Sequence, residues 1–195
     1  MKDWIGTKST WRVLGASNHS DYERAEHDFY ATSPKAIDEL FKVIGTPTEV
    51  WECACGAGHL SKRMRELGVK VYSSDLIDRG YGTPGIDFLA MCNLVVPVIV
   101  TNPPYRYAKE FVLHALGLGA EMVCMFLKLT FLEGVGRQEL FQKYPPRTVA
   151  VFTRRIQVAR NGDPEMFKKS SAACYAWFIW EKGYTGKPEI VWINK

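Results

Sequence analysis

The chain lacks any run near the roughly 20 consecutive apolar residues that cross a bilayer as a helix. Its start, Met1-Lys2-Asp3-Trp4-Ile5-Gly6, lacks the apolar stretch of a secretory signal, so a cytoplasmic protein with no membrane partner is expected. Cysteine is sparse and odd in number. Cys53, Cys55, Cys92, Cys124 and Cys174 are scattered over apolar segments, the pattern of reduced core thiols and not of a disulfide framework. Cys53-Ala54-Cys55 stands alone, and His19, His27, His59 and His114 show no ligand spacing, so no metal site is expected. No repeat, low-complexity tract or Gly/Ser-rich linker divides the sequence. Its 195 residues, 47% of them hydrophobic, suffice for one α/β domain over 1–195, with 1–27 as an N-terminal extension. A net charge of +4 says little about a nucleic-acid partner, but Arg137 to Lys169 holds eight basic residues against three acidic ones. Such a flank suits phosphate contacts or a solvated face equally.

What is present is an alternation of short apolar runs and amphipathic stretches, the sign of strands separated by helices around a mostly parallel sheet. A helix is expected over 33–44, with Ser33 as N-cap, Pro34 in its first turn and Ala36, Leu40, Phe41 and Ile44 at helical spacing. Strands are expected over 48–55 and 69–74, a short third near Gly85-Ile86, and a fourth over 97–101. Helices should follow Gly56-Ala57-Gly58, stopping at Gly68, and span 107–118. The apolar run 121–129 reads as a central strand, and 148–158 with 172–181 as an antiparallel pair at the sheet edge.

The chemistry concentrates at Thr101-Asn102-Pro103-Pro104-Tyr105, where the fourth strand ends and open α/β sheets place their ligands. An Asn amide, a proline-locked carbonyl and an aromatic ring can hold a planar amino group by its two N–H bonds. The same tetrapeptide could also be a surface turn. Asn-Pro-Pro-Tyr after an apolar strand resembles the catalytic motif of S-adenosyl-L-methionine-dependent amino-methyltransferases, above all the DNA adenine-N6 enzymes. The resemblance implies a Rossmann-like class I methyltransferase fold: a mostly parallel sheet with an antiparallel edge pair and helices on both faces. It also implies that Asn102, Pro103, Pro104 and Tyr105 form the catalytic motif, with Asn102 and Pro103 accepting the two N–H bonds and Tyr105 stacking on the base.

Three further segments, in chain order, are similar to the family's cofactor contacts. Glu52-Cys53-Ala54-Cys55-Gly56-Ala57-Gly58 resembles the first motif, with Gly56 and Gly58 admitting the methionine part and Glu52 or Cys53 near its charged end. Asp75, followed by Leu76, is placed to accept the ribose hydroxyls, and Asp87-Phe88 resembles the adenine clamp. Upstream, Asp28-Phe29-Tyr30-Ala31-Thr32-Ser33-Pro34 resembles an additional cofactor segment, through Tyr30 and Thr32; Asn102 belongs to the cofactor set as well. Taken singly, the glycines could form a plain turn, Asp75 a helix cap and Asp87 a turn residue. The opening Glu52-Cys53-Ala54-Cys55 departs from the commoner Asp-Pro-Phe type, which leaves open which residue orients the methionine end. A nicotinamide site is disfavoured because the third glycine of Gly-x-Gly-x-x-Gly is absent. A C5-cytosine enzyme is disfavoured because Pro103-Pro104-Tyr105 offers no cysteine nucleophile.

The stretches 127–137 and 175–183 resemble small phage or prophage DNA adenine methyltransferase-like proteins over nearly the whole chain, which implies a bacterial or phage-infected cytoplasm. The expected acceptor is adenine in DNA, flipped or already single-stranded. Arg154, Arg155, Arg160 and Lys168 are the expected substrate contacts, in a loop over 154–171. Phe131, Phe167 and Trp177 are candidates for the second wall of the base site, or core residues. No separate target-recognition domain is expected. An RNA base or a protein glutamine as acceptor, and a non-catalytic nucleic-acid-binding module, stay open.

Overall fold

The computed structural model describes residues 29–160, 162, 163, 165 and 173–194. Strand β1 (Tyr30–Thr32) leads into α1 (Lys35–Ile44), whose Ala36, Ile37, Leu40 and Phe41 are buried on one stripe. Ser33 does not cap α1 with its side chain; its carbonyl accepts the Ala36 N–H at 2.9 Å, and Pro34 takes the cap position. Then come β2 (Glu49–Glu52), α2 (His59–Glu66), β3 (Lys70–Ser73), β4 (Val98–Thr101), α3 (Ala108–Gly117) and β5 (Met122–Lys128). Helix α4 (Val135–Lys143), β6 (Thr148–Phe152), β7 (Val158–Arg160), β8 (Tyr175–Glu181) and β9 (Glu189–Ile193) complete the chain.

Seven strands form one sheet in the order β3-β2-β4-β5-β8-β6-β9. The pairs β2–β3, β2–β4, β4–β5 and β6–β9 are parallel, whereas β8 runs antiparallel to both β5 and β6. Alternation along the strands divides the core in two. Val50, Val100, Phe126 and Trp177 face α1 and α2, while Trp51, Ile99, Val123 and Phe178 face α3 and α4. Each large side chain so buried stabilises the fold by about 1.5–3 kcal/mol. Trp177 also donates its indole N–H to the Ala36 carbonyl at 2.8 Å, which ties the sheet to the first turn of α1.

The structure corrects three further expectations. No strand forms near Gly85-Ile86. Gly80, Gly82 and Gly85 adopt φ of 72°, 72° and 76°, so the chain curls back on β3 through a lone Ser74–Thr83 bridge and then forms a 3-10 turn at Phe88–Ala90. The antiparallel pair of β6 and β8 is internal, because β9 covers β6 and forms the edge. Residues 154–171 are not wholly a loop: β7 lies within them and pairs antiparallel with β1, Tyr30 opposite Arg160 and Thr32 opposite Val158.

Candidate active site

The parallel strands β2, β3 and β4 end on one edge of the sheet, and the side chains just beyond them surround a cavity of about 660 Å³. That size is ordinary for a site that encloses a nucleoside with an amino-acid tail. Of the residues singled out from sequence, Tyr30, Thr32, Glu52, Cys53, Gly56, Asp75, Leu76, Asp87, Phe88, Asn102 and Pro104 line it. Phe29 of the upstream segment lines it as well, as do Ile77, Arg79, Arg106, Tyr107 and Phe111, on which sequence reasoning placed no weight.

Glu52, the last residue of β2, is only 2% exposed. It accepts a hydrogen bond from Ser61 Oγ, which in turn meets Ser73 Oγ at 2.6 Å. Burial is the chief cause that pushes its carboxyl up to about 8, with the Ser61 bonds opposing. Burial likewise raises the Cys53 thiol well above its usual range and the Cys55 thiol to about 12, so neither is a thiolate nucleophile.

The glycine turn is locked to the next strand by the Gly56 N–H, which donates to Asp75 Oδ2 at 2.7 Å. Asp75 Oδ1 accepts from Ile77 N at 2.9 Å and pairs with Arg79 at 3.4 Å. A carboxylate has about four acceptor positions, so Asp75 keeps one for a ligand hydroxyl but spends three on the protein. Gly56 is at φ 53°, and a Cβ there would sit 2.4 Å from Phe29 Cε2. The Arg79 guanidinium lies 4.5 Å from the centre of the same Phe29 ring. Gly58 does not line the cavity; at φ 79°, its missing Cβ makes room for the Tyr81 ring, 2.3 Å away.

The Asp87-Phe88 pair is arranged differently from a two-residue clamp. Asp87 caps the 3-10 turn, accepting from Leu89 N at 3.0 Å. Phe88 is 2% exposed and packs edge-on to Trp51 and His114, with Phe111 4.9 Å away, so its ring belongs mainly to the core. Exposed apolar surface in the cavity comes instead from Leu76, 56% exposed just after Asp75, and from Tyr107.

Asn102 follows β4 directly. Its Nδ2 donates to the Tyr30 carbonyl at 2.7 Å and to Thr32 Oγ1 at 2.9 Å. A carbonyl can only accept, which fixes the amide's orientation and leaves Oδ1 as a buried acceptor with no partner among the described residues. An acceptor left in this state costs about 1–3 kcal/mol unless a ligand donates to it. Pro103 is buried, and Pro104 O is engaged by Tyr107 N at 2.9 Å. Tyr105 does not line the large cavity. Its ring lies between Tyr30, 5.4 Å away, and Tyr175, 6.2 Å away, and borders a second cavity of about 110 Å³ with Leu127, Lys128, Thr130, Phe131 and Arg137.

Of the expected substrate contacts, Arg154 and Arg155 do not line the cavity. Arg154 and Arg155 are exposed between β6 and β7, Arg160 ends β7, and Lys168 lies outside the described residues, as does Phe167. Phe131 and Trp177 are buried in the core, though Phe131 touches the second cavity. Among the described residues no cluster of His, Cys, Asp and Glu is placed to hold a metal ion, and no helix is long and apolar enough to cross a membrane.

No protein-family model matches the sequence, and no curated protein matches it. Solved structures do share the fold. A candidate RNA methyltransferase from Pyrococcus horikoshii aligns over 91% of this chain and 99% of its own at 14% identity, with a TM-score of 0.58. The modification subunit of a candidate type I restriction enzyme from Vibrio vulnificus aligns over 86% of this chain and 47% of its own at 12% identity and a TM-score of 0.54. Magnesium protoporphyrin IX methyltransferase from Synechocystis, solved with bound SAM, aligns over 74% of each chain at 13% identity and a TM-score of 0.48. The chain shares its Rossmann-like fold with the first two of these structures.

Proposed function

We propose that this chain is an S-adenosyl-L-methionine-dependent methyltransferase that modifies the exocyclic N6 amine of adenine in DNA. The carrying observation is the Asn102 amide, turned by Tyr30 and Thr32 so that an unpartnered acceptor remains beside the cavity. The fold and the order of the strand-end motifs support the same reading.

The cavity residues fit the cofactor. Its adenosine and methionine ends call for hydroxyl acceptors, an apolar platform and an acidic partner, which Asp75, Leu76, Asp87 and Glu52 supply, with Phe29 and Gly56 shaping the wall. When bound, the cofactor supplies an electrophilic methyl group on a sulfonium. The chain's task is then to present a nitrogen whose lone pair is otherwise delocalised into the ring. Asn102 Oδ1 and the Pro103 carbonyl accept the amine's two N–H bonds and draw the nitrogen toward tetrahedral geometry; Pro104 O is already committed to Tyr107. Tyr105 provides a face for the base, and fixed orientation supplies much of the rate gain.

Transfer of labelled methyl groups to unmethylated duplex DNA, single-stranded DNA and RNA, with the modified nucleoside identified by mass, tests this. N6-methyldeoxyadenosine from a DNA substrate is the expected product. Label appearing only in RNA, or only in protein, would overturn the assigned acceptor.

A further inference from the structure

The cations near the second cavity are held without carboxylates, whereas several arginines on other faces of the molecule form ion pairs. Arg63, Arg79 and Arg147 meet carboxylates at 2.7, 3.4 and 2.6 Å. Lys109, Lys128 and Arg137 have no carboxylate partner among the described residues. Lys109 Nζ donates to the Gly136 carbonyl at 2.6 Å, and Lys128 Nζ lies 5.1 Å over the Tyr105 ring. Arg137 donates to the carbonyls of Phe131 at 2.8 Å, Thr130 at 3.3 Å and Glu133. Carbonyls and ring faces orient a cation without cancelling its charge, so with Glu133 as the lip's one carboxylate against Lys109, Lys128 and Arg137 the lip stays net positive.

Its position is informative. Lys128 and Arg137 line the second cavity together with Tyr105 of the catalytic loop, so the charge stands beside the loop that would hold the acceptor. On the same lip Leu132 is 45% exposed and Val135 91% exposed. Apolar side chains between cations suit contact with unstacked bases whose phosphates the cations hold. A neutral acceptor would gain nothing from these charges.

We infer that the lip formed by residues 128–137 with Lys109 is the phosphate-binding surface for a nucleic-acid acceptor, which enters on the Tyr105 side. This rests on the N-methyltransferase reading and names the polyanion as its substrate class. It assigns the phosphate contacts to Lys109 and Lys128 in place of the turn carrying Arg154 and Arg155. Arg137, bound to three carbonyls, holds the lip in shape.

The test is binding of a fluorescent single-stranded oligodeoxynucleotide across a KCl series to the full chain, its Lys109→Met/Lys128→Met variant and an Arg154→Met/Arg155→Met variant. Each lost phosphate contact lowers the log–log salt slope by about 0.7, so the lysine pair should lower it by roughly 1.4 and weaken binding about tenfold or more at low salt. The arginine pair should change the slope little, and cofactor affinity should be equal in all three. An unchanged slope in the lysine variant, or no binding by the parent, would overturn the lip assignment. Parent protein that binds with the expected slope yet transfers no methyl group would overturn the enzymatic reading and leave the lip standing.

Discussion

Thr32 Oγ1 accepts the Asn102 Nδ2 proton at 2.9 Å across 70 residues of sequence, and Thr32 is itself buried. The amide that should polarise the acceptor is therefore aimed by a residue from the short N-terminal strand, which β7 in turn holds in place.

Thr32→Val keeps the side chain's shape and removes that acceptor. We expect kcat to fall about tenfold, the equivalent of roughly 1.4 kcal/mol and close to the worth of one hydrogen bond, with the KM for the cofactor changed less than about twofold. Thr32→Ser should restore kcat. Loss of cofactor affinity with unchanged kcat would mean that Thr32 serves the cofactor alone.

Glu52 gives a pH dependence whose sign is set by its raised carboxyl, about 8 in the folded chain against 4.5 as the ordinary value. The folded state holds this proton where the unfolded state has released it, so the stability it contributes is full below 4.5 and is lost as pH rises through about 8. Denaturant midpoints of the cofactor-free protein should fall over that window, and Glu52→Gln should remove this part of the fall. A parent profile no steeper than that of Glu52→Gln would contradict the buried, protonated assignment.

Gly56→Ala sets a Cβ at 2.4 Å from Phe29 Cε2, in a backbone conformation, φ 53°, that disfavours side chains. We expect a loss of about 1–3 kcal/mol of stability and displacement of Phe29 from the cavity wall, read as a lower Tm and a weaker cofactor Kd in calorimetry.

Trp177→Phe leaves the Ala36 carbonyl without its indole donor and opens space in a fully buried position. A destabilisation of about 2–4 kcal/mol is expected with kcat unaltered per folded molecule, because Trp177 lines neither cavity. A selective loss of turnover at unchanged stability would restore it as a base-stacking candidate.

The parts of this site that sequence revealed are those encoded locally. An apolar strand ending in Asn102 and a glycine turn after Glu52 each carry a readable pattern, and Asp75 follows an alternating strand, so the sheet edge could be assembled from three strand ends. The interactions that sequence hid are non-local. Nothing near Tyr30 announces that it pairs with Arg160, or that Thr32 holds Asn102. Phe88 carries the expected residue type, but its ring is taken by Trp51, Phe111 and His114 from separate elements. Helix α4 buries Leu140 alone, too little periodicity to stand out, and β9 leaves Ile190 and Trp192 exposed at the sheet edge. The missing third strand was readable in hindsight from Gly80, Gly82 and Gly85, three left-handed positions in six residues.

The most direct test of the account is single-turnover methyl transfer by Asn102→Ala beside the parent protein, with cofactor binding measured on both by calorimetry. The account predicts that the variant binds S-adenosyl-L-methionine within a few-fold of the parent and transfers methyl groups at least about a hundredfold more slowly, as expected when a group aimed at the reacting nitrogen is removed. Transfer by Asn102→Ala at the parent's rate would contradict it.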